Sequence, residues 1–246
     1  AGHSNSPGIS SGNTDVYLIK IDQDGNQLWQ KAHGNLAFPN HEWAYDITQL
    51  PDEGFLVVGC RNRYSDGSKN GLVLRTDKEG TLLWEKEFLE EGQAEETVYS
   101  ISNTNNGDYF ICSTTNSVAE PGIYQPKISK IDLEGNIDWQ RTFAANGKSY
   151  HRFSAAGTEK GDIVLVGSSG RQVATGYDED AFMVRIDDKG NIIWSYAYGT
   201  YDNDDWGWSV FEKSNTNLVF VGSTRSFGAS LFDVYLVGTN SEGLTQ

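Results

Sequence analysis

Cysteine is scarce in this chain: Cys60 and Cys112 are the only two among 246 residues, too few to staple a scaffold with disulfides. They sit at nearly equivalent depths of adjacent repeats, so their Cα atoms are expected beyond the roughly 7 Å limit for a bridge. Two buried thiols are expected instead. Basic charge is also thin, with 19 Lys and Arg against 34 Asp and Glu for a formal charge of −15. Such a surface lacks the cations that displace counterions from phosphates, which excludes free nucleic acid as a partner. No run approaches the 18 or so apolar residues of a membrane span. A soluble chain without membrane insertion is expected. Nor does a charged n-region with a hydrophobic run open the sequence. It begins at Ala1-Gly2 in what reads as the end of a structural element, as a processed or excised piece would. Apolar residues make up only 37%, yet 7 Trp, 12 Tyr and 11 Phe bury enough surface per residue for a core.

What is present is a period. Trp29, Trp84, Trp139 and Trp194 stand 55 residues apart, as do Gly25, Gly80, Gly135 and Gly190, and Asp22, Asp77, Asp132 and Asp187. A fifth start, VYLVGTNSEGLTQ, brings Gly243 after a step of 53. Self-similarity of this kind marks a repeat architecture. Within each unit short apolar or alternating runs are bounded by Gly, Asn and Asp, which is strand and turn chemistry with no helix. Strands are expected at Val16 to Ile21, then across Trp29, at Ala44 to Gln49 and at Phe55 to Cys60, with counterparts in the later units. Asp22 is expected to accept backbone N–H bonds in a tight turn where Gly25 supplies a positive φ. Runs such as Leu56-Val57-Val58 and Val164-Leu165-Val166 are apolar on both strand faces, so each small sheet is expected to be covered on both sides.

Four strands per unit and two buried faces predict an all-β fold, a β-propeller of four-stranded blades, in preference to a sandwich. The chain is read as a single domain, residues 1–246, with four full repeats of about 55 residues and a split or truncated fifth lacking roughly 30 residues. It is either a five-bladed ring with an incomplete blade or a slice of a longer propeller. The repeated Trp is then a packing residue between neighbours.

The last repeat, WSYAYGTYDNDDWGWSVFEKSNTNLVFVGSTRSFGASLFDVYLVGTNSEG, resembles the repeats of secreted and surface-anchored bacterial and archaeal β-propellers, and the Asp-x-x-Gly-Asn-x-x-Trp core is similar to quinoprotein-like propellers. The resemblance covers essentially the whole chain, and its motif specifies a blade. It implies an extracytoplasmic repeat domain used mainly for display or binding. Two departures stand out. Cys112 occupies the place of Gly59, Gly167 and Gly222, and Tyr150-His151 that of Asp205-Trp206.

Catalytic motifs dissolve on inspection. Gly8-Ile9-Ser10-Ser11-Gly12 matches a nucleophile elbow but lies in a Ser/Gly-rich loop, away from any strand-to-helix turn. Gly147-Lys148-Ser149 resembles a phosphate loop whose first Gly is replaced by Thr142. His3, His33, His41 and His151 show no zinc spacing, and no metal is assigned. Asp178-Glu179-Asp180 and Asp202-Asn203-Asp204-Asp205 lack the order of a calcium loop and read as solvated acids. No cofactor is expected. Glu42, Glu96 and Asp205 align just before the third strand of their units, and paired acids of this kind can cleave glycosidic bonds. Repetition at one place in each blade nevertheless reports fold geometry first.

The Asp-x-x-Gly turns and the Leu50-Pro51-Asp52-Glu53-Gly54 turns are short and uniform, whereas the loops at the other ends diverge. Function concentrates on such loops. They and the strand starts beside them hold the candidate ligand-binding set His41, Glu42, Tyr150, Tyr201, Asp205 and Trp208, with Trp43 and Trp206 either joining it or packing between blades. Aromatic faces beside acids suit sugar or peptide recognition. The sequence therefore predicts a non-catalytic, monomeric, extracytoplasmic propeller binding a glycan or protein. The alternatives are a glycan-active enzyme working through carboxylates at the propeller mouth and a structural spacer.

Overall fold

The computed structural model describes residues 1–6, 10, 13–34, 40–63, 67–88, 95–116, 124–143, 153–173, 176–200, 203–228 and 231–245. The side chains of 171–173, 176 and 177 are excepted. The elbow-like Gly8–Gly12 segment, Ser10 apart, and the Gly147-Lys148-Ser149 loop lie outside these residues. The chain forms two compact units, Ala1–Ile101 and Ser102–Gln246.

Among the described residues every element is a strand. In unit 1, β1 (Gly2–Ser4), β2 (Asp15–Ile21) and β3 (Gln27–His33) make a three-stranded sheet, and β4 (His41–Gln49), β5 (Phe55–Asn62), β6 (Lys69–Thr76) and β7 (Leu82–Phe88) a four-stranded one. β8 (Glu95–Asn103) runs across the division and starts the sheet continued by β9 (Tyr109–Asn116), β10 (Tyr124–Ile131) and β11 (Ile137–Thr142). The fourth sheet is β12 (Ser154–Gly157), β13 (Ile163–Val173), β14 (Gly176–Ile186) and β15 (Ile192–Tyr198). The fifth is β16 (Asp205–Glu212), β17 (Leu218–Thr224) and β18 (Asp233–Thr239). Each sheet is a meander of sequence neighbours. β1, which pairs with Asp15–Tyr17, has no counterpart in the sequence reading. Several strands also run further into the loops than expected, β4 and β16 starting at His41 and Asp205.

The turns follow from their chemistry. Asp22 Oδ1 accepts the backbone N–H groups of Asp24 (2.9 Å) and Asn26 (2.8 Å), and Gly25 takes φ +84°. The same bonds recur at Asp77, Asp132 and Asp187, and Asn240 supplies them in the last turn. Because one side chain satisfies two turn donors, the hairpin and its register are set locally.

Packing builds on that register. In unit 1, Val16 and Leu18 of the first sheet meet Val57, Leu72 and Leu74 of the second, with Trp29 against them. In unit 2, β13 serves two cores. Ile163 and Leu165 join Phe110, Cys112 and Ile128 on one face, while Val164 and Val166 join Val210, Leu218 and Phe220 on the other. That sheet is covered on both sides, as its unbroken apolar run requires. The fifth sheet differs, since within unit 2 only one of its faces is packed. On the other face Val234 is 82% and Leu236 69% exposed. Cys60 and Cys112 are buried and form no disulfide, and burial pushes the Cys60 thiol up.

Within unit 2 the repeated Trp of one sheet lies on the turn of the next. Ring atoms of Trp139 would stand 2.8 Å from a Cβ on Gly190, and those of Trp194 2.9 Å from one on Gly243. Trp139 Nε1 also donates to the carbonyl of Asp188 at 3.0 Å. Because the indole is half-buried, Trp139→Ala is expected to cost about 2 to 3 kcal/mol, below the roughly 3 to 5 of a fully enclosed ring. Urea denaturation checks this. A midpoint equal to the parent's would remove the packing role.

Candidate functional site

Two strand starts carry an acid followed by tryptophan: Glu42-Trp43 on β4 and Asp205-Trp206 on β16. Successive side chains of a strand point to opposite faces. The acids accordingly turn inward, Glu42 1% and Asp205 0% exposed, while both indoles remain partly open.

In unit 1 Glu42 enters an ionic cage. Arg61 Nε donates to Glu42 Oε1 at 2.8 Å, its Nη1 to Glu87 at 2.6 Å and its Nη2 to Glu85 at 3.0 Å. Arg63 and Asn70 also bind Glu87. Burial would lower the Arg61 guanidinium, but hydrogen bonds from Glu85 and Glu87 more than reverse this. Burial raises the Glu42 carboxyl against the pull of Arg61, and its Oε2 is buried with no hydrogen bond among the described residues. Burial would raise Glu87 too, but the hydrogen bonds of Arg61 and Asn70 take it below the ordinary glutamate range. His41 accepts the Thr14 N–H at Nδ1 and stacks on Trp43 with centroids 5.7 Å apart.

In unit 2 Asp205 Oδ2 accepts the Ser226 hydroxyl at 2.6 Å and the Thr200 N–H at 3.3 Å. Asp180 lies so near that one carbon added to Gly199 would collide with both carboxylates. Their negative charges, after burial, hold the Tyr235 phenol above its usual range. On the other side of the strand Trp206 stacks on Phe232 (4.4 Å, 24°), which also bears the Arg225 guanidinium at 4.3 Å. Trp206 Nε1 donates to Glu179 Oε2 at 2.6 Å, and Arg225 pairs with Asp204 at 3.2 Å.

A β-bulge completes the arrangement. The pairing of β16 with β17 shifts between Gly207 and Ser209, leaving Trp208 as the extra residue. Bulges re-aim side chains. Trp208 is 46% exposed, donates to Ser223 Oγ at 3.1 Å and meets Trp206 edge to face at 5.9 Å. Beside the indoles lies a pocket of about 160 Å³ lined by Ser168, Glu179, Trp206, Gly207 and Trp208. This is below the roughly 300 to 1,000 Å³ that engulfs a whole ligand, and it has room for one ring of a longer chain. A larger depression of about 590 Å³ lies among the turns around Gly107 and Asp132. Its Lys130 is already tied to Asp108 at 2.9 Å, and its one aromatic residue, Tyr109, is 4% exposed, so it offers no exposed ring to a ligand.

Of the candidate set, His41 and Glu42 therefore stand together on β4 and Asp205 and Trp208 on β16, while Tyr150 and Tyr201 lie outside the described residues. Ser168, Arg225 and Phe232 escaped the sequence reading, and Glu179 entered it only as a solvated acid. Among the described residues no three His, Cys, Asp or Glu side chains converge as a metal centre would need.

No known family and no curated protein matches the sequence. Solved structures do match its fold. A protein of unknown function from Dyadobacter fermentans aligns over 97% of this chain and 71% of its own at TM-score 0.63 and 14% identity. An α-L-arabinanase of Penicillium chrysogenum complexed with arabinobiose aligns over 94% and 68% at 0.56 and 14%. The NanB sialidase of Streptococcus pneumoniae, as its K499G mutant, aligns over 91% and 35% at 0.56 and 11%. The expectation that this chain is not an enzyme is corrected by these likenesses. Its fold is one in which an arabinanase and a sialidase are built, so missing motifs of other folds do not argue against catalysis. The chain has an all-β fold of the propeller type found in glycan-active enzymes.

Proposed function

We propose that the chain is a glycan-active β-propeller that holds one sugar of a polymer against Trp206 and Trp208 and acts on the adjoining glycosidic bond. The observation that carries this reading is the pocket itself, where two indoles, a carboxylate and a hydroxyl meet. Indole faces cover the C–H surface of a sugar, and Glu179 and Ser168 can fix its hydroxyls. Cleavage requires a second carboxylate. Asp204, which accepts the Glu179 N–H and pairs with Arg225 on the Trp206 side of the strand, is the candidate, whereas Asp205 turns inward on the other side. Glu179 is the acid that would touch the sugar, and Asp205 ties Thr200 to Ser226. A polymeric glycan also places the protein outside the cytoplasm. The single domain of residues 1–246 and the monomeric state remain part of this reading.

The test is reducing-end release from a panel of polysaccharides, read beside tryptophan fluorescence with oligosaccharides. Glu179→Gln is expected to lower turnover by about 10²-fold or more, the usual contribution of a general acid or base, and to leave binding of an uncharged sugar in place. Trp208→Ala is expected to weaken binding. Full activity of Glu179→Gln, or a panel with neither release nor fluorescence change, would reject the proposal.

A further inference from the structure

Within that reading, on which it rests, we infer that unit 1 carries a second sugar site, built on the pattern of the first and equipped to hold a sugar without cutting it. The repeat puts the two in register. The pairing of β4 with β5 shifts between Ala44 and Asp46, leaving Tyr45 as the extra residue where β16 has Trp208. A glycine opposite admits the bulge in each case, since a Cβ on Gly59 would collide with the Trp43 carbonyl as one on Gly222 would with that of Trp206. Tyr45 is 37% exposed, and the Cys60 thiol donates to its hydroxyl at 3.8 Å where Ser223 accepts from Trp208. The preceding sheet supplies the other wall. Val16 pairs with His3 as Ala181 pairs with Ser168, and the His3 ring meets Trp43 edge on at 6.4 Å. The Thr14 N–H donates to His41 Nδ1 at 3.3 Å where the Glu179 N–H donates to Asp204. His41, stacked on Trp43, and Tyr45, 5.2 Å from Tyr99, extend the ring surface. Such rings suit the C–H face of a sugar. The acids are what differs: Thr14 and His41 stand in the places of Glu179 and Asp204, and Glu42 turns inward to Arg61. Cleavage takes two carboxylates, so the second site binds and does not hydrolyse.

Calorimetric titration of the intact chain with arabino-, xylo-, manno- and galacto-oligosaccharides counts the sites. Two sugars per chain are expected. Tyr45→Ala should weaken one of the two at least about tenfold and Trp208→Ala the other, the loss of an aromatic stacking surface in each case. Tyr45→Phe keeps the ring and should retain both sites, which separates stacking from a folding defect. Glu179→Gln should still take up two sugars while turnover falls. One sugar per chain, weakened by Trp208→Ala and untouched by Tyr45→Ala, would overturn the inference and leave the reading of the first site standing. Equal losses in Tyr45→Phe and Tyr45→Ala would also overturn it, because the ring would then not be the contact. Turnover that survives Glu179→Gln and disappears in Tyr45→Ala would show that unit 1 cuts as well and would overturn the binding-only assignment. Uptake of none of the four sugars would remove both readings.

Discussion

Arg61→Ala is expected to destabilise the protein by about 3 to 5 kcal/mol, the range found when one partner of a buried ion pair is removed. The guanidinium is the common partner of Glu42, Glu85 and Glu87. Without it, Glu42, whose side chain is 1% exposed, would keep its burial and lose its counterion, and Glu87, at 16%, would keep only Arg63. Glu85, about one-third exposed, contributes less because water screens it. The pH dependence follows from the directions of the shifts. In the parent, Glu42 is raised above 4.5, so its contribution is full at low pH and lost as pH rises through the folded value. Glu87 is lowered below 4.5, so its contribution is full at neutral pH and lost as pH falls through its folded value. The two oppose each other. In the variant the first kind grows and the second weakens, since Glu87 keeps Asn70 and Arg63, and the deficit should be largest at neutral pH and shrink in mild acid. Chemical denaturation across that range measures it. A variant as stable as the parent at neutral pH would show that the cage contributes nothing.

Gly222→Ala should be nearly as damaging. A Cβ there would collide with the Trp206 carbonyl oxygen and lie 2.8 Å from its carbon and 3.2 Å from the Gly207 Cα. All three are backbone atoms, which cannot swing aside, so β16 and β17 must part and the bulge that presents Trp208 must open. A loss of about 3 kcal/mol or more is expected from such overpacking, together with loss of sugar binding. Gly238→Ala on β18 is the control, because nothing lies within 4 Å of its Cβ position. Equal melting of Gly222→Ala and Gly238→Ala would refute the bulge.

The sequence carried the turns in full, because Asp22 and Gly25 make their bonds within five residues and the same few atoms recur at every step of 55. Both faces of β13 were legible for a similar reason, as burial on two sides leaves no polar alternation. The cage of Arg61 was not. Its partners come from β4 and β7, and nothing in a strand's own pattern says which residues of other strands will face it. The pocket was legible in part: Trp208 and Asp205 stood out as an aromatic and an acid beside a variable loop, whereas Glu179 looked like one more acid in a chain of charge −15. One available signal went unread. Gly59 and Gly222 recur inside apolar strands, and a glycine there marks a close backbone approach or a bulge. Both bulges lie opposite them, at Ala44/Asp46 and Gly207/Ser209.

The seating of Trp139 and Trp194 on the turns that follow has a consequence for how unit 2 comes apart. In unit 2 the third sheet leans on the fourth through Trp139 and Gly190, and the fourth on the fifth through Trp194 and Gly243. Couplings of this kind run only between nearest neighbours, as in a one-dimensional array. Damage to one link should therefore loosen the two sheets it joins and fade beyond them. Amide hydrogen exchange would then record graded protection along the series in place of one global opening, with the fifth sheet, one of whose faces is unpacked within unit 2, opening ahead of the fourth.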